Sequence, residues 1–336
     1  MRILAVETSC DETGASVIEA EGVTLRLLSN VVATSLPLHS KTGGVIPEAA
    51  AREQLKYIIP VIKQALEESK SSQNNIDKLA VTVGPGLIGS LLVGVETVKA
   101  YAYAWKKPII PVNHLFGHIY ANFIEKRDIE FPAIALVVSG GHTDLVLMKG
   151  SKSLKWLGGT RDDAAGEALD KTGRLLGLPY PAGPKIEELA KKGKDIFKFP
   201  RPLMHSADYD FSFSGLKTAV FREVQKMDSA GRAPNLENIS ASVQTAIVDV
   251  LVTKTLKATK EFGAKSILLG GGVAANQTLR DKFELEIRSL KLKIPLLVPE
   301  KQLCTDNAAM IGAAATLIGK ETSWDKIQAN PELYFD

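Results

Sequence analysis

At 336 residues, with 45% hydrophobic and 24% charged side chains, the chain is too long for one simple core and has an ordinary globular composition, so two domains are expected. Two cysteines, Cys10 and Cys304, exclude a disulfide framework and fit a reducing compartment, while a formal net charge of +3 admits a nucleic-acid partner without arguing for one. No apolar run approaches the roughly 18 residues that span a bilayer, and the N-terminus enters a strand without an export pattern, so a cytoplasmic location with no membrane partner is expected.

Residues 3–6 and 15–18 are apolar runs around a small, polar turn, Glu7-Thr8-Ser9-Cys10-Asp11-Glu12-Thr13-Gly14, which is the pattern of a hairpin. Gly43 and Gly44 precede Pro47, which suits the first turn of a helix. The stretch after it, EAAAREQLKYIIPVIKQALEES, has helical apolar spacing, and Pro60 is expected to kink it. A polar loop at 71–77 leads to a strand at 79–83, and Gly84-Pro85-Gly86-Leu87-Ile88-Gly89 then runs into an apolar helix at 90–105. GPGLIG matches the dinucleotide fingerprint GxGxxG, but the next strand, 108–112, ends in Asn113 where an acidic ribose ligand is required. A tight turn with close helix packing through Gly89, Ser90 and Gly94 is the preferred reading.

Asn113 is a good N-cap for a helix running to about Glu125, which places His114 and His118 on one face. A helix N-terminus disfavours imidazolium, so both rings are expected to be neutral and able to bind metal. HxxxH is a metal half-site that a carboxylate from elsewhere would complete; two capping or packing histidines are the competing reading. Leu115 follows His114, so the general base of the zinc-protease motif HExxH is absent. Asp306 is the candidate third ligand, although Thr305-Asp306-Asn307 also reads as a plain helix cap.

The hairpin pattern returns at 134–148, IALVVSGGHTDLVLM, with Ser139-Gly140-Gly141-His142-Thr143-Asp144 crossing between apolar runs. Its recurrence suggests an internal duplication whose halves would face each other across a cleft. A strand at 154–159, a helix at 162–171 and a rigid turn, PYPAGP, at 179–184 follow. Next come the basic residues Lys191, Lys192, Lys194, Lys198 and Arg201, and a segment 211–217 leading into a helix. A long amphipathic helix at 238–262, a buried strand at 266–269, Gly270-Gly271-Gly272, a helix holding Asn276, a short strand at 295–299 and a small-residue helix at 308–318 complete the chain. The alternation is that of an α/β protein. The glycine turns at 139–142 and 270–272 offer backbone N–H groups where phosphate oxygens settle, though neither is a P-loop. Asp11, Glu12, Asp163 and Asp170 are acids suited to holding a ribose, a metal or a proton.

These motifs together carry a resemblance. VETSCDETG (6–14), GGVIPEAAAR (43–52), GPGLIGSLLVG (84–94), VNHLFGHIYA (112–121), VSGGHTDL (138–145), DDAAGEALDK (162–171), DFSFSGLKT (210–218), GGGVAAN (270–276) and CTDNAAMIG (304–312) are similar to the bacterial-type tRNA threonylcarbamoyltransferase family, TsaD, once described as O-sialoglycoprotein endopeptidases. The resemblance implies the actin-like ATPase (ASKHA) fold, two duplicated α/β lobes with a cleft. The lobes are expected at 1–130, with a C-terminal helix at about 305–325 packing back on it, and at 131–304.

It further implies His114, His118 and Asp306 as ligands of one divalent metal ion, with iron favoured and zinc possible. Val138, Ser139, Gly140, Gly141 and His142 would line the adenylate site, with Asp170, Gly183 and Asn276 as further substrate contacts. The implied reaction moves the threonylcarbamoyl group of threonylcarbamoyl-AMP to N6 of adenosine-37 in tRNAs reading ANN codons, releasing AMP. Glu12 or Asp11 is the expected base. The implied partners are tRNA, a paralogous subunit (TsaB) and a small ATPase (TsaE). Gln54 stands where the family often has histidine, and PAGP, with Ala182, replaces the more usual PGGP. The alternatives are a small-molecule kinase of the same fold and an inactive scaffold subunit of the modification complex.

Overall fold

The computed structural model describes all residues except Val23, residues 125–128, Arg232 and Asp336. They form two compact units, Met1–Asp128 with Pro299–Asp336, and Ile129–Val298.

The first unit begins with β1 (Arg2–Glu7), β2 (Glu12–Glu21) and β3 (Thr24–Thr34), an antiparallel meander, followed by α1 (Leu36–Thr42) and α2 (Pro47–Glu68). Then come β4 (Lys78–Gly84), α3 (Ile88–Trp105), β5 (Ile109–Asn113) and α4 (His114–Tyr120). Sheet order is β3-β2-β1-β4-β5, with β4 and β5 parallel to β1. β1 is apolar without alternation because both of its faces are covered. Leu4 and Val6 join the core under α2 and α3, whereas the intervening Ala5 lies against Gly312 from the C-terminal part of the chain. Each fully buried Leu or Val of this kind contributes about 1.5–3 kcal/mol.

The second unit repeats the topology. Strands β6 (Ala133–Val138), β7 (Thr143–Gly150) and β8 (Ser153–Gly159) form the meander. After α5 (Ala165–Leu175), α6 (Gly183–Ala190), α7 (Ser214–Ser229) and α8 (Leu236–Glu261) come β9 (Ser266–Gly270), α9 (Gln277–Ser289) and β10 (Leu296–Leu297). The order β10-β9-β6-β7-β8, with β9 and β10 in parallel pairing, matches the first sheet strand for strand. The chain then returns to the first unit through α10 (Lys301–Cys304) and α11 (Ala308–Ile318).

Several expectations are corrected. β3 and α1 were not anticipated from the sequence. α2 continues as one helix through Pro60, which sits on its exposed side. α4 ends at Tyr120 and passes into a 3-10 turn, Ala121–Phe123; the expected end at Glu125 lies outside the described residues. α5 starts at Ala165 rather than at 162, because the Asp162 carboxylate instead accepts hydrogen bonds from Phe213 N (2.8 Å) and Ser214 N (3.2 Å). α8 is not amphipathic: six consecutive residues, 239–244, are all buried, which no single helix face permits. It is long and apolar enough to cross a membrane, but it is a mostly buried core helix.

Candidate functional site

At the end of β5, Asn113 turns the chain into α4 by accepting the Leu115 N–H on its Oδ1 at 2.8 Å. His114 and His118 follow one turn apart, with ring centroids 4.6 Å apart and exposures of 5% and 0%. α11 is capped by Asn307, whose Oδ1 accepts the Met310 N–H at 3.1 Å. Asp306 is therefore not the cap. Its Oδ1 lies 3.3 Å from His118 Nε2 and 3.6 Å from His114 Nε2. One donor atom from each of the three residues falls within 4.8 Å of the others. Nε2 of buried His118 has no hydrogen bond of acceptable geometry, a costly state that a metal ion there would relieve. Two imidazoles and a carboxylate fit a borderline divalent cation.

Behind His114 stand two residues that sequence reasoning missed. Its Nδ1 is 3.1 Å from Ser9 Oγ and 3.4 Å from Glu7 Oε2. Glu7 is fully buried; its Oε1 accepts the Ser9 N–H at 2.5 Å, and its Oε2 accepts the Thr82 hydroxyl. A protonated Nδ1 held this way leaves Nε2 to face Asp306. The two rings are pushed in opposite directions. Burial opposes charge on His114, but the Asp306 and Glu7 carboxylates outweigh it and push the ring up to about 9. Burial, together with the neighbouring His114, pushes His118 down.

The β1–β2 turn and the first residue of β2 carry the two candidate bases, Asp11 and Glu12. Burial, then the charges of Asp11 and Asp306, push Glu12 up to about 8, and its buried Oε2 makes no hydrogen bond. Burial and Asp306 also raise Asp11. Cys10 is pushed well up by burial and by Asp11, which removes it as a thiolate nucleophile. The turn is pinned from outside. Gln54 Nε2 donates to the carbonyls of Glu12 (3.0 Å), Cys10 (3.1 Å) and Thr8 (3.4 Å), and Ser90 Oγ donates to Cys10 O at 2.9 Å. The glycine fingerprint beside it is used internally, for a tight turn and close packing. Gly86 N–H donates to Pro331 O (3.3 Å), Leu87 N–H donates to Ser9 O (2.8 Å), and Gly94 leaves room for Thr8.

In the second unit the two glycine turns meet at the same ends of the paired strands β6 and β9. Gly271, at φ 91°, packs on the Val138 backbone, where a side chain has no room. The hairpin turn closes through Ser139 N–H to His142 O (2.8 Å) and His142 N–H to Ser139 Oγ (3.1 Å). At Gly140 and Gly141 an added Cβ would meet nothing, so the turn stays open to a ligand. Asp170 Oδ1 accepts the Ala182 N–H at 2.7 Å, placing its carboxylate at the start of α6 beside Gly183. Burial raises this acid despite those amides. Asn276 precedes α9 rather than lying in it: Oδ1 accepts the Leu279 N–H (3.0 Å) and Nδ2 donates to Gln244 Oε1 (2.9 Å). Asp163 is paired with Lys171 at 2.6 Å.

Residues 26–313 match the family model described as TsaD, tRNA N6-adenosine threonylcarbamoyltransferase. A protein of that name from Enterococcus faecalis is 47% identical over 331 residues, covering 98% of this chain and 94% of its own. One from Syntrophomonas wolfei is 50% identical over 314 residues, covering 93% and 91%. Among solved structures, HypF of T. kodakarensis superposes with a TM-score of 0.61 at 14% identity, over 93% of this chain and 47% of that one. Component A of the Acidaminococcus fermentans (R)-2-hydroxyglutaryl-CoA dehydratase gives 0.53 at 14% identity, over 94% and 97%. These distant likenesses show the actin-like ATPase fold alone. The sequence matches go further: the chain belongs to the tRNA N6-adenosine threonylcarbamoyltransferase family.

Proposed function

We propose that this chain transfers the threonylcarbamoyl group of threonylcarbamoyl-AMP to N6 of adenosine-37 in tRNAs reading ANN codons, releasing AMP. The observation that carries the reading is the convergence of His114, His118 and Asp306 in a member of this family. These three residues would hold one divalent ion, iron by family resemblance. When bound, the ion supplies a positive charge that orients the phosphate and stabilises it as a leaving group. Glu7 and Ser9 keep the His114 ring turned for that role.

The N6 amine attacks the carbamoyl carbon, a C–N bond forms, the bond from that carbon to the phosphate oxygen breaks, and AMP departs with the electron pair. The N6 proton goes to a carboxylate, for which Glu12 is the first choice. Its buried Oε2 has no competing hydrogen bond, and a pKa lifted towards neutrality suits a general base. Asp11 is the alternative. Val138, Ser139, Gly140, Gly141 and His142 would offer the adenylate backbone N–H groups, with Asp170, Gly183 and Asn276 beside them.

For partners, the exposed Lys191, Lys192, Lys194 and Lys198 suit the tRNA backbone. Arg201 does not, because Asp249 and Asp195 already hold it at 2.8 and 3.2 Å. Leu55 and Ile59 on α2, with Ile88 and Leu92 on α3, are exposed apolar residues suited to a paralogous TsaB-like subunit. A TsaE-like ATPase and a cytoplasmic setting complete the proposal. The test is a reconstituted assay with these partners, labelled threonine, bicarbonate, ATP and an anticodon-stem tRNA. Label in the tRNA that disappears in a His114→Ala, His118→Ala double variant supports the reading. No label from folded protein with active partners returns the choice to a scaffold or a kinase.

A further inference from the structure

We propose that residues 327–335 form a clasp that holds the metal-ligating helix α4 in position, so that metal binding and docking of this segment stabilise one another. The inference rests on the metal site proposed above. The segment lies beyond residue 313, where the match to the family model ends, and its contacts run to the metal helix.

Ile327, only 2% exposed, anchors the segment in the first unit's core. Asn330 N–H then donates to Val83 O at 2.7 Å, at the end of β4, and the Asn330 carbonyl occupies the space above Gly84 that a side chain would otherwise fill. Pro331 O accepts the Gly86 N–H at 3.3 Å. The last contacts reach the metal helix. Tyr334 O accepts a hydrogen bond from Asn113 Nδ2 at 2.7 Å, while Oδ1 of the same carboxamide caps α4. The Phe335 ring packs on Phe116 with centroids 5.6 Å apart. The residue before His114 and the residue two after it are both gripped by one strap.

A carboxamide shared between a cap and a strap has one rotamer that serves both bonds. Loss of the Tyr334 bond frees the cap, and with it the direction in which the His114 ring leaves the helix. Ligand positioning errors of this kind lower metal affinity while the fold persists. Coupling between the two events is necessarily reciprocal.

The test uses the full chain with Co2+ as a spectroscopic probe, measuring its affinity and its d–d bands. Two variants are compared with it: deletion of residues 330–336, and Asn113→Asp, which keeps the cap acceptor but removes the donor to Tyr334 O. Hydrogen exchange of the 330–335 amides in the unaltered chain, with and without Co2+, supplies a reading independent of any variant's folding. The clasp predicts about tenfold or greater loss of Co2+ affinity with altered bands in both variants, and slower exchange of the 330–335 amides when Co2+ binds. Unchanged affinity in the variants together with unchanged exchange overturns the clasp alone. Failure of the unaltered chain to bind Co2+ overturns the metal reading, and the clasp's coupling with it.

Discussion

Glu7 is the residue whose substitution is most informative. It is fully buried, shares its two oxygens between the Ser9 N–H and the Thr82 hydroxyl, and stands behind His114 Nδ1. Glu7→Gln keeps the shape but loses the charge, and metal affinity is expected to fall about 10–100-fold. Calorimetric titration checks this; undiminished affinity would show that Ser9 alone orients the ring. The titrating groups make a second prediction. In the metal-free chain Glu12 is raised from 4.5 to about 8, and His114 from 6.5 to about 9. Between those values the folded chain holds more protons than the unfolded one, so both groups stabilise it fully below their ordinary pKa values and lose that contribution as pH rises through about 8 and 9. The denaturation midpoint of chelator-treated protein should therefore fall from about pH 7 to about pH 9, and a rise over that interval would contradict the electrostatic picture. The His114 and His118 pair was legible because both imidazoles sit one turn apart on a helix. Glu7 was not, because it lies 107 residues from its partner, and only the β1-β4-β5 order brings them together.

At the scale of elements, the hairpins that opened each half of the sequence are β1–β2 and β6–β7, in the register their apolar runs imply. What the sequence hid has physical reasons. β3, TLRLLSNVVAT, is only partly buried and pairs through a bulge, so it shows neither clean alternation nor a continuous apolar run. α8 has the length of an amphipathic helix but is buried nearly all round, and among its buried residues is a cation, Lys254, whose ammonium donates to Ser206 Oγ at 2.8 Å and to Asp208 O at 3.1 Å. Asp306 was ambiguous because a cap and a ligand look alike in TDNA; the neighbouring Asn307 takes the cap and leaves the Asp306 carboxylate beside both imidazoles. The turn of Gly270-Gly271-Gly272 carries its own prediction. At Gly271 a Cβ would collide with the Val138 carbonyl and face a positive φ. Gly271→Ala should therefore destabilise the second unit by about 2 kcal/mol or more and disturb both glycine turns. Urea denaturation measures this, and a neutral effect would mean that β6 and β9 can part without cost.

Across the whole molecule, one topology is used twice, and each copy gathers a different set of polar groups at its strand ends. The first unit gathers imidazoles and carboxylates at the end of β5 and in the β1–β2 turn, and the second gathers backbone amides at the ends of β6 and β9. Its acids and glycines were legible as residue types at strand ends. The role of Asn276 as the cap of α9 and the bond Asp170 accepts from Ala182 N–H at the start of α6 were not, since both depend on where the helices start. If a single ion held by His114, His118 and Asp306 serves the transfer reaction, adding graded Fe2+ or Zn2+ to chelator-stripped protein in the reconstituted assay, with bound metal and labelled tRNA followed together, should give transfer that rises in step with bound metal, levels off at about one ion per chain, and is absent from Asp306→Ala. Full transfer by the stripped chain, or by Asp306→Ala, would contradict it.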